Sequence, residues 1–339
     1  MKKCKTILIV LIVLCGWARF SACAWAGNSP KKLLVIDTQP TVPYTIITAA
    51  MLKTLSERGF VAGQNLAVTH VSMNQREGEF NRLWQYYQGS TFDVVYVAGT
   101  VAMQALLPVL KDAPQLPVVF SSITDPVGLG LIKDFGVPPD RNITGVAYGV
   151  PVKDRIRFVR RIMPNAHTIG LIYGEIQSSV AYRAWLEKLL AQDPELKDVK
   201  VIYRSIDFIP GANGTRRMAM QAAAAIKALD PVVDVFLSPS DSMGNNPEFA
   251  HIVQLNATKP LVGIIEPDAK GGGAAVALYA SLPAIGRQAG IMVARLLSGE
   301  PITAIPAERP AEIGIAIDWQ LVRRFGLVIP PDIAAAAAK

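Results

Sequence analysis

From Lys31 onward the chain alternates short apolar, β-branched runs with segments of helical periodicity, and this alternation limits the fold more than any other feature. A short apolar run bounded by turn residues reads as a strand buried on both faces. Such strands separated by helical stretches build parallel sheets with crossover helices. Strands are expected at 33–36, 66–71, 93–97 and 117–120, with helices at 44–57, 77–88 and 101–110 between them. Gly59 caps the first helix, because a residue without Cβ tolerates the left-handed backbone there. A loop rich in Gly, Pro and Asp at 124–142 follows, and the rhythm restarts with a helix at 152–162. Strands at 168–173, 199–203, 233–237 and 261–265 then alternate with helices at 179–191, 215–229 and 247–256. A strand at 274–279, a helix at 283–297 and a strand at 313–317 complete the pattern, and the alanine-rich end is expected to fray. The expected class is α/β, with two doubly wound, Rossmann-like lobes joined by Gly- and Pro-rich crossings that serve as a hinge.

The first residues obey a different logic. Lys2, Lys3 and Lys5 precede an apolar run at 7–17, and small residues follow at Ala22, Ala24 and Ala26. This is the plan of a secretory signal. Arg19 interrupts the run short of the roughly 20 apolar residues a membrane span needs. Cleavage after Ala24-Trp25-Ala26 makes residues 1–26 a signal peptide and the mature protein periplasmic. A second reading takes Phe20-Ser21-Ala22-Cys23 as a lipobox and gives a lipoprotein anchored at Cys23, although Phe20 stands where Leu is usual. Cys4, Cys15 and Cys23 are the only cysteines, so cleavage after Ala26 leaves no thiol for disulfide, redox or metal chemistry. It also removes four basic residues and no acid, and the formal charge falls from +7 to +3. That balance is too mild for a nucleic-acid partner.

Catalysis finds little footing. His70, His167 and His251 are scattered without metal-ligand spacing, and neither a nucleophile elbow nor a phosphate loop is present. Gly128-Leu129-Gly130 lacks the rest of a dinucleotide fingerprint, and Gly271-Gly272-Gly273 reads as a hinge turn. Neither an enzyme nor a cofactor is expected. Open α/β sheets bind ligands beyond the carboxyl ends of their strands, and polar residues cluster there. Thr100, after Ala98-Gly99, either offers its hydroxyl and the helix N-terminus to a carboxylate or caps its helix. Ser121, Ser122 and Thr124 precede Asp125-Pro126, a density of hydroxyls that a plain turn does not require. Asp241, within Ser238-Pro239-Ser240-Asp241-Ser242, either meets a ligand ammonium or caps a helix, and Glu175 reads as solvated.

The stretch from Pro117 through Val118-Val119-Phe120-Ser121-Ser122-Ile123-Thr124-Asp125-Pro126-Val127-Gly128-Leu129-Gly130-Leu131 to Asn142-Ile143-Thr144-Gly145-Val146 resembles the ABC transporter substrate-binding family that includes tryptophan- and tyrosine-binding proteins. Gly59-Phe60-Val61, Gly63, Asn65-Leu66, Gly99-Thr100 and Gly299-Glu300-Pro301 extend the resemblance over essentially the whole mature chain. It implies a type I periplasmic binding protein whose chain passes between the lobes three times. Residues 31–147 with 268–305 would form one lobe, 148–267 with 306–330 the other, and 331–339 a flexible tail. It also implies a monomer that captures a small molecule and partners an ABC permease and ATPase. The rival function is a periplasmic sensing module for a membrane receptor or kinase. Carried over, the cleft would hold Gln39, Pro40, Thr100, Ser121, Ser122, Thr124 and Asp125 facing Tyr173 and Asp241. The loop Gly174-Glu175-Ile176-Gln177-Ser178-Ser179 departs from the family's Asn-Pro-x-Glu-x-Asn-Ser pattern, and Val42-Pro43 stands where His-Pro is common. An aromatic amino acid is therefore not implied as the ligand.

Overall fold

A computed structural model describes residues 29–73, 80, 84–85, 87, 91–211 and 213–338. The expected signal peptide and most of the expected helix at 77–88 lie outside the described residues. The first sheet contains β1 (Lys31–Asp37), β2 (Leu66–Ser72), β3 (Val94–Ala98), β4 (Val118–Ile123) and β5 (Ile143–Ala147) in the order β2-β1-β3-β4-β5. All its pairs are parallel, with Val35 beside His70 on one side and Tyr96 on the other. The strand at 143–147 escaped the sequence reading because its short run, broken by Thr144 and Gly145, resembles loop.

The second sheet contains β6 (Thr168–Gly174), β7 (Lys200–Ile206), β8 (Val235–Leu237), β9 (Leu261–Gly263), β10 (Val276–Ala280) and β11 (Ile313–Ile317), in the order β11-β10-β9-β8-β6-β7. Only the β10–β11 pair is antiparallel. Leu33, Leu34, Val35 and Ile36 are at most 1% exposed, which explains the unbroken apolar runs: both faces of each sheet are covered.

On the first sheet, α1 (Tyr44–Glu57) and α7 (Leu282–Leu297) cover one face and α2 (Thr100–Leu110) covers the other. On the second, α3 (Val152–Ile162), α4 (Gln177–Gln192), α8 (Trp319–Phe325) and α9 (Pro331–Ala337) oppose α5 (Gly214–Leu229) and α6 (Pro247–Asn256). The close seat of α7 on α1 depends on two glycines. A Cβ on Gly286 would lie 2.3 Å from the Ile47 carbonyl oxygen, and one on Gly290 would lie 2.7 Å from Thr54 Cβ. With the helices this close, Ile285, Met292 and Val293 bury fully, and each such burial contributes about 1.5–3 kcal/mol.

The crossings fall at different places from those the resemblance implied. β10 pairs with β9 and β11, so the chain stays with the second sheet until Ser281 rather than leaving it before 268. The segment after α7 remains on the first lobe past 305: Thr144 Oγ1 donates to the Ile305 carbonyl at 2.6 Å, and Glu308 brackets β5 through Gly145 and Ala147. The passages are therefore at 148–151, 280–282 and 309–312. The tail, expected to fray, forms α9: Ile333 is buried and Arg161 bonds both oxygens of Asp332, so an anchor and good helix-forming alanines act together. Among the described residues no helix is long and apolar enough to cross a membrane.

Candidate functional site

The two sheets present their strand ends to a shared cavity of about 600 Å³, counting the part open to solvent. In each sheet the strand order reverses near this point, between β1 and β3 and between β6 and β8. Such a reversal splays the outgoing loops apart and leaves a crevice.

The first-lobe wall is built from hydroxyls and a helix end. β3 ends at Ala98, and Gly99 turns the chain into α2 with φ of +104°. A Cβ at this position would lie 2.3 Å from Thr38 Oγ1 and 2.7 Å from Tyr44 Cε1, so only glycine brings the N-terminus of α2 to the cavity. Thr38 Oγ1 donates to the Ala98 carbonyl at 3.2 Å and accepts from Ala102 N at 3.3 Å, fixing the turn. Thr100 and Val101, the first residues of the helix, line the cavity, where the positive end of the helix favours an anion. Tyr44, at the start of α1, closes this wall, and burial pushes its phenol up to about 12, so it remains a neutral hydroxyl.

Ser121 and Ser122 diverge. The pairing of β4 with β5 shifts register between Phe120 and Ile123, and Ser122 takes a left-handed φ of 56°. That conformation costs a non-glycine residue about 1–2 kcal/mol. It directs Ser122 to the cavity, where its buried hydroxyl has no partner among the described residues, whereas Ser121 turns away to share a 2.6 Å bond with the Tyr96 hydroxyl.

The second-lobe wall centres on Asp241, which is 5% exposed and lines the cavity. One carboxylate oxygen accepts from Gly244 N at 2.9 Å, and the other from Ser179 Oγ at 2.8 Å and Gly174 N at 3.1 Å. Burial raises its pKa while these donors oppose the rise. No Lys, Arg or His pairs with it among the described residues. The Asp241 carbonyl accepts from Asn245 Nδ2 at 2.7 Å, and the Tyr148 hydroxyl on the first crossing donates to Asn245 Oδ1. The turn at 241–245 is thereby tied to the first passage between the sheets. Ser242 adds a second buried hydroxyl without a partner, while Ile176 and Phe208 supply apolar surface. Thr124 Oγ1 reaches the Ser240 carbonyl across the cleft at 3.4 Å.

Of the residues proposed from sequence, Gln39, Thr100, Ser122, Thr124 and Asp241 line this cavity. Pro40, Ser121, Asp125 and Tyr173 do not. Pro43 takes the place expected of Pro40, and Asp125 holds its own turn through Gly128 N at 2.8 Å while lining a separate space nearer the hinge. The Tyr173 hydroxyl turns to Arg183, which donates to it at 3.0 Å. Glu175 is exposed. Thr38, Ser240 and Ser242 were within reach of the strand-end rule, since they flank residues already chosen. Tyr44 carries no local signal; Tyr148 and Phe208 follow the ends of β5 and β7. Among the described residues no group of three or more His, Cys, Asp or Glu is gathered to hold a metal.

The profile of the ABC transporter substrate binding protein family matches residues 44–339. A tyrosine-binding protein of Clostridioides difficile (strain R20291) is 22% identical over 280 residues, covering 81% of this chain and 75% of that one. A Streptococcus pneumoniae domain solved in complex with L-Trp superposes with a TM-score of 0.74 at 20% identity, covering 91% of this chain and 99% of its own. A conserved domain protein from Vibrio cholerae gives a TM-score of 0.74 at 21% identity over the same shares. At these identities the superpositions speak to the fold, a two-lobed α/β binding protein.

Proposed function

Since this chain belongs to the ABC transporter substrate-binding protein family, we propose that it is the extracytoplasmic capture component of an ABC uptake system and closes on an amino acid or amino-acid derivative between its lobes. The observation that carries this reading is the polarity of the cleft: on one wall a buried carboxylate that no cation pairs with among the described residues, and on the other a helix N-terminus with hydroxyls. An α-amino acid matches that polarity, with its ammonium on Asp241 and its carboxylate near Thr100 and Ser122. Charge-assisted bonds in a space shielded from water are stronger than surface ion pairs. Tyr44, Ile176 and Phe208 favour an apolar or aromatic side chain. Residues 1–26 would direct export, and closure about the three passages would present the loaded form to a permease and its ATPase.

Thermal unfolding against a panel of amino acids, amines, carboxylic acids and sugars tests this. Amino acids with apolar side chains should raise the midpoint, whereas their deaminated and amidated analogues should not. Stabilisation by sugars alone would overturn the reading.

A further inference from the structure

Among the described residues two side-chain hydrogen bonds join the lobes across the cleft, and both end on the turn after β8 that carries Asp241. Thr124 Oγ1 donates to the Ser240 carbonyl, and the Tyr148 hydroxyl donates to Asn245 Oδ1. The second bond is the better sheltered, since Tyr148 and Asn245 are each 8% exposed. Burial pushes the Tyr148 phenol far above its ordinary value, so it stays protonated and donates.

The two partners of this bond belong to different bodies. Tyr148 N donates to the Ile123 carbonyl at 2.8 Å, and its ring packs with Val146, Ala280 and Ile285 in the core of the first lobe. Asn245 is fixed in the second lobe, where its N and Nδ2 both donate to the Asp241 carbonyl, at 3.0 and 2.7 Å. The chain leaves the first lobe just beyond Tyr148, at Gly149, whose φ of +81° suits glycine alone. Rotation about this point carries the Tyr148 hydroxyl away from Asn245. The Asp241 carboxylate is unaffected by it, because Gly174 N, Ser179 Oγ and Gly244 N all come from its own lobe.

We infer that Tyr148 is a positioning residue for capture: its hydroxyl latches the closed cleft through Asn245, apart from the carboxylate that meets the solute. When the lobes part, water takes the place of both partners, so the bond favours the closed form only. Removing the hydroxyl leaves Asn245 Oδ1 buried without its donor in that form and shifts the balance from closed to open roughly tenfold.

Small-angle scattering of the empty protein and of Tyr148→Phe tests the latch without a solute, so the result does not depend on the capture role on which the inference rests. The variant keeps the ring and its packing, and its radius of gyration should exceed that of the wild type. Asn245→Ala should give a similar increase, and the double variant no more than either alone. Release of L-tryptophan, used as the probe in stopped flow, should be roughly tenfold faster in Tyr148→Phe, with association unchanged. Should L-tryptophan not bind the wild type, the capture role loses that solute and the scattering decides alone. An unchanged radius of gyration overturns the inference. So does a lower thermal midpoint as the variant's only effect, which would make the bond a contact that stabilises the fold.

Discussion

The two walls of the cleft use opposite chemistry. The first lobe contributes a helix end and hydroxyls, and its buried carboxylate, Asp37, is already occupied by His70 Nε2 and Ser72 Oγ, each at 2.6 Å. The second lobe contributes Asp241, held by three neutral donors and paired with no cation among the described residues, and carries another buried carboxylate in Asp268, which accepts from two backbone N–H groups near Arg155. One lobe keeps its buried acid bonded to side chains of the neighbouring strand; the other has left one facing the cleft. On the proposed function, the contrast gives the cleft a direction that favours one orientation of a dipolar solute.

Removing the charge of the second wall should have the greatest effect. Asp241→Asn is expected to weaken solute binding by roughly 30- to 1000-fold, about 2–4 kcal/mol, measured by calorimetry. Asp241→Ala should in addition lower the stability of the empty protein by about 1–3 kcal/mol, because Gly174 N, Ser179 Oγ and Gly244 N lose their acceptor. Affinity should fall as acid protonates Asp241, since burial raises its pKa and only the ionised form holds an ammonium.

Asp268 should make the second lobe responsible for a pH dependence of stability. Unfolded, its carboxyl loses a proton near 3.8; folded, it keeps the proton to about 7. Between these values the native state binds more protons, so this residue's contribution to stability decreases as pH rises. Asp268→Asn should remove a change on the order of 2 kcal/mol across that window in denaturant titrations. An identical slope in the variant would contradict the assignment.

On the first wall, Gly99→Ala places a Cβ 2.3 Å from Thr38 Oγ1 at a φ of +104°. A stability loss of about 1–2 kcal/mol and a tenfold weaker solute are expected. The smallest changes should come from Ser122→Ala and Ser242→Ala, each about 1 kcal/mol in affinity and little in stability, because neither hydroxyl has a protein partner to lose.

Much of this fold was legible because strands such as 33–36 and 94–97 are buried on both faces and therefore read as unbroken apolar runs. The strand-end rule chose Thr100, Ser122 and Asp241, which line the cavity, for a physical reason: chain leaving a parallel sheet must turn, and the turn residues face the crevice. It could not separate Ser122 from Ser121, since the difference arises from a register shift against β5. Nor did it reach Tyr148 or Phe208, which follow the ends of β5 and β7, because 143–147 was not read as a strand and the strand at 199–203 was ended short of Ile206. The passages were misplaced because the run at 276–280 looks like any other strand until its pairing with β11 is known.

The crystal structure of the solute-loaded protein tests the directional cleft most directly. The account predicts the solute's amine within hydrogen-bonding distance of the Asp241 carboxylate and its acid group at the N-terminus of α2 beside Thr100 and Ser122. A solute lying in the reverse orientation, or one that leaves Asp241 without a cation, would contradict it.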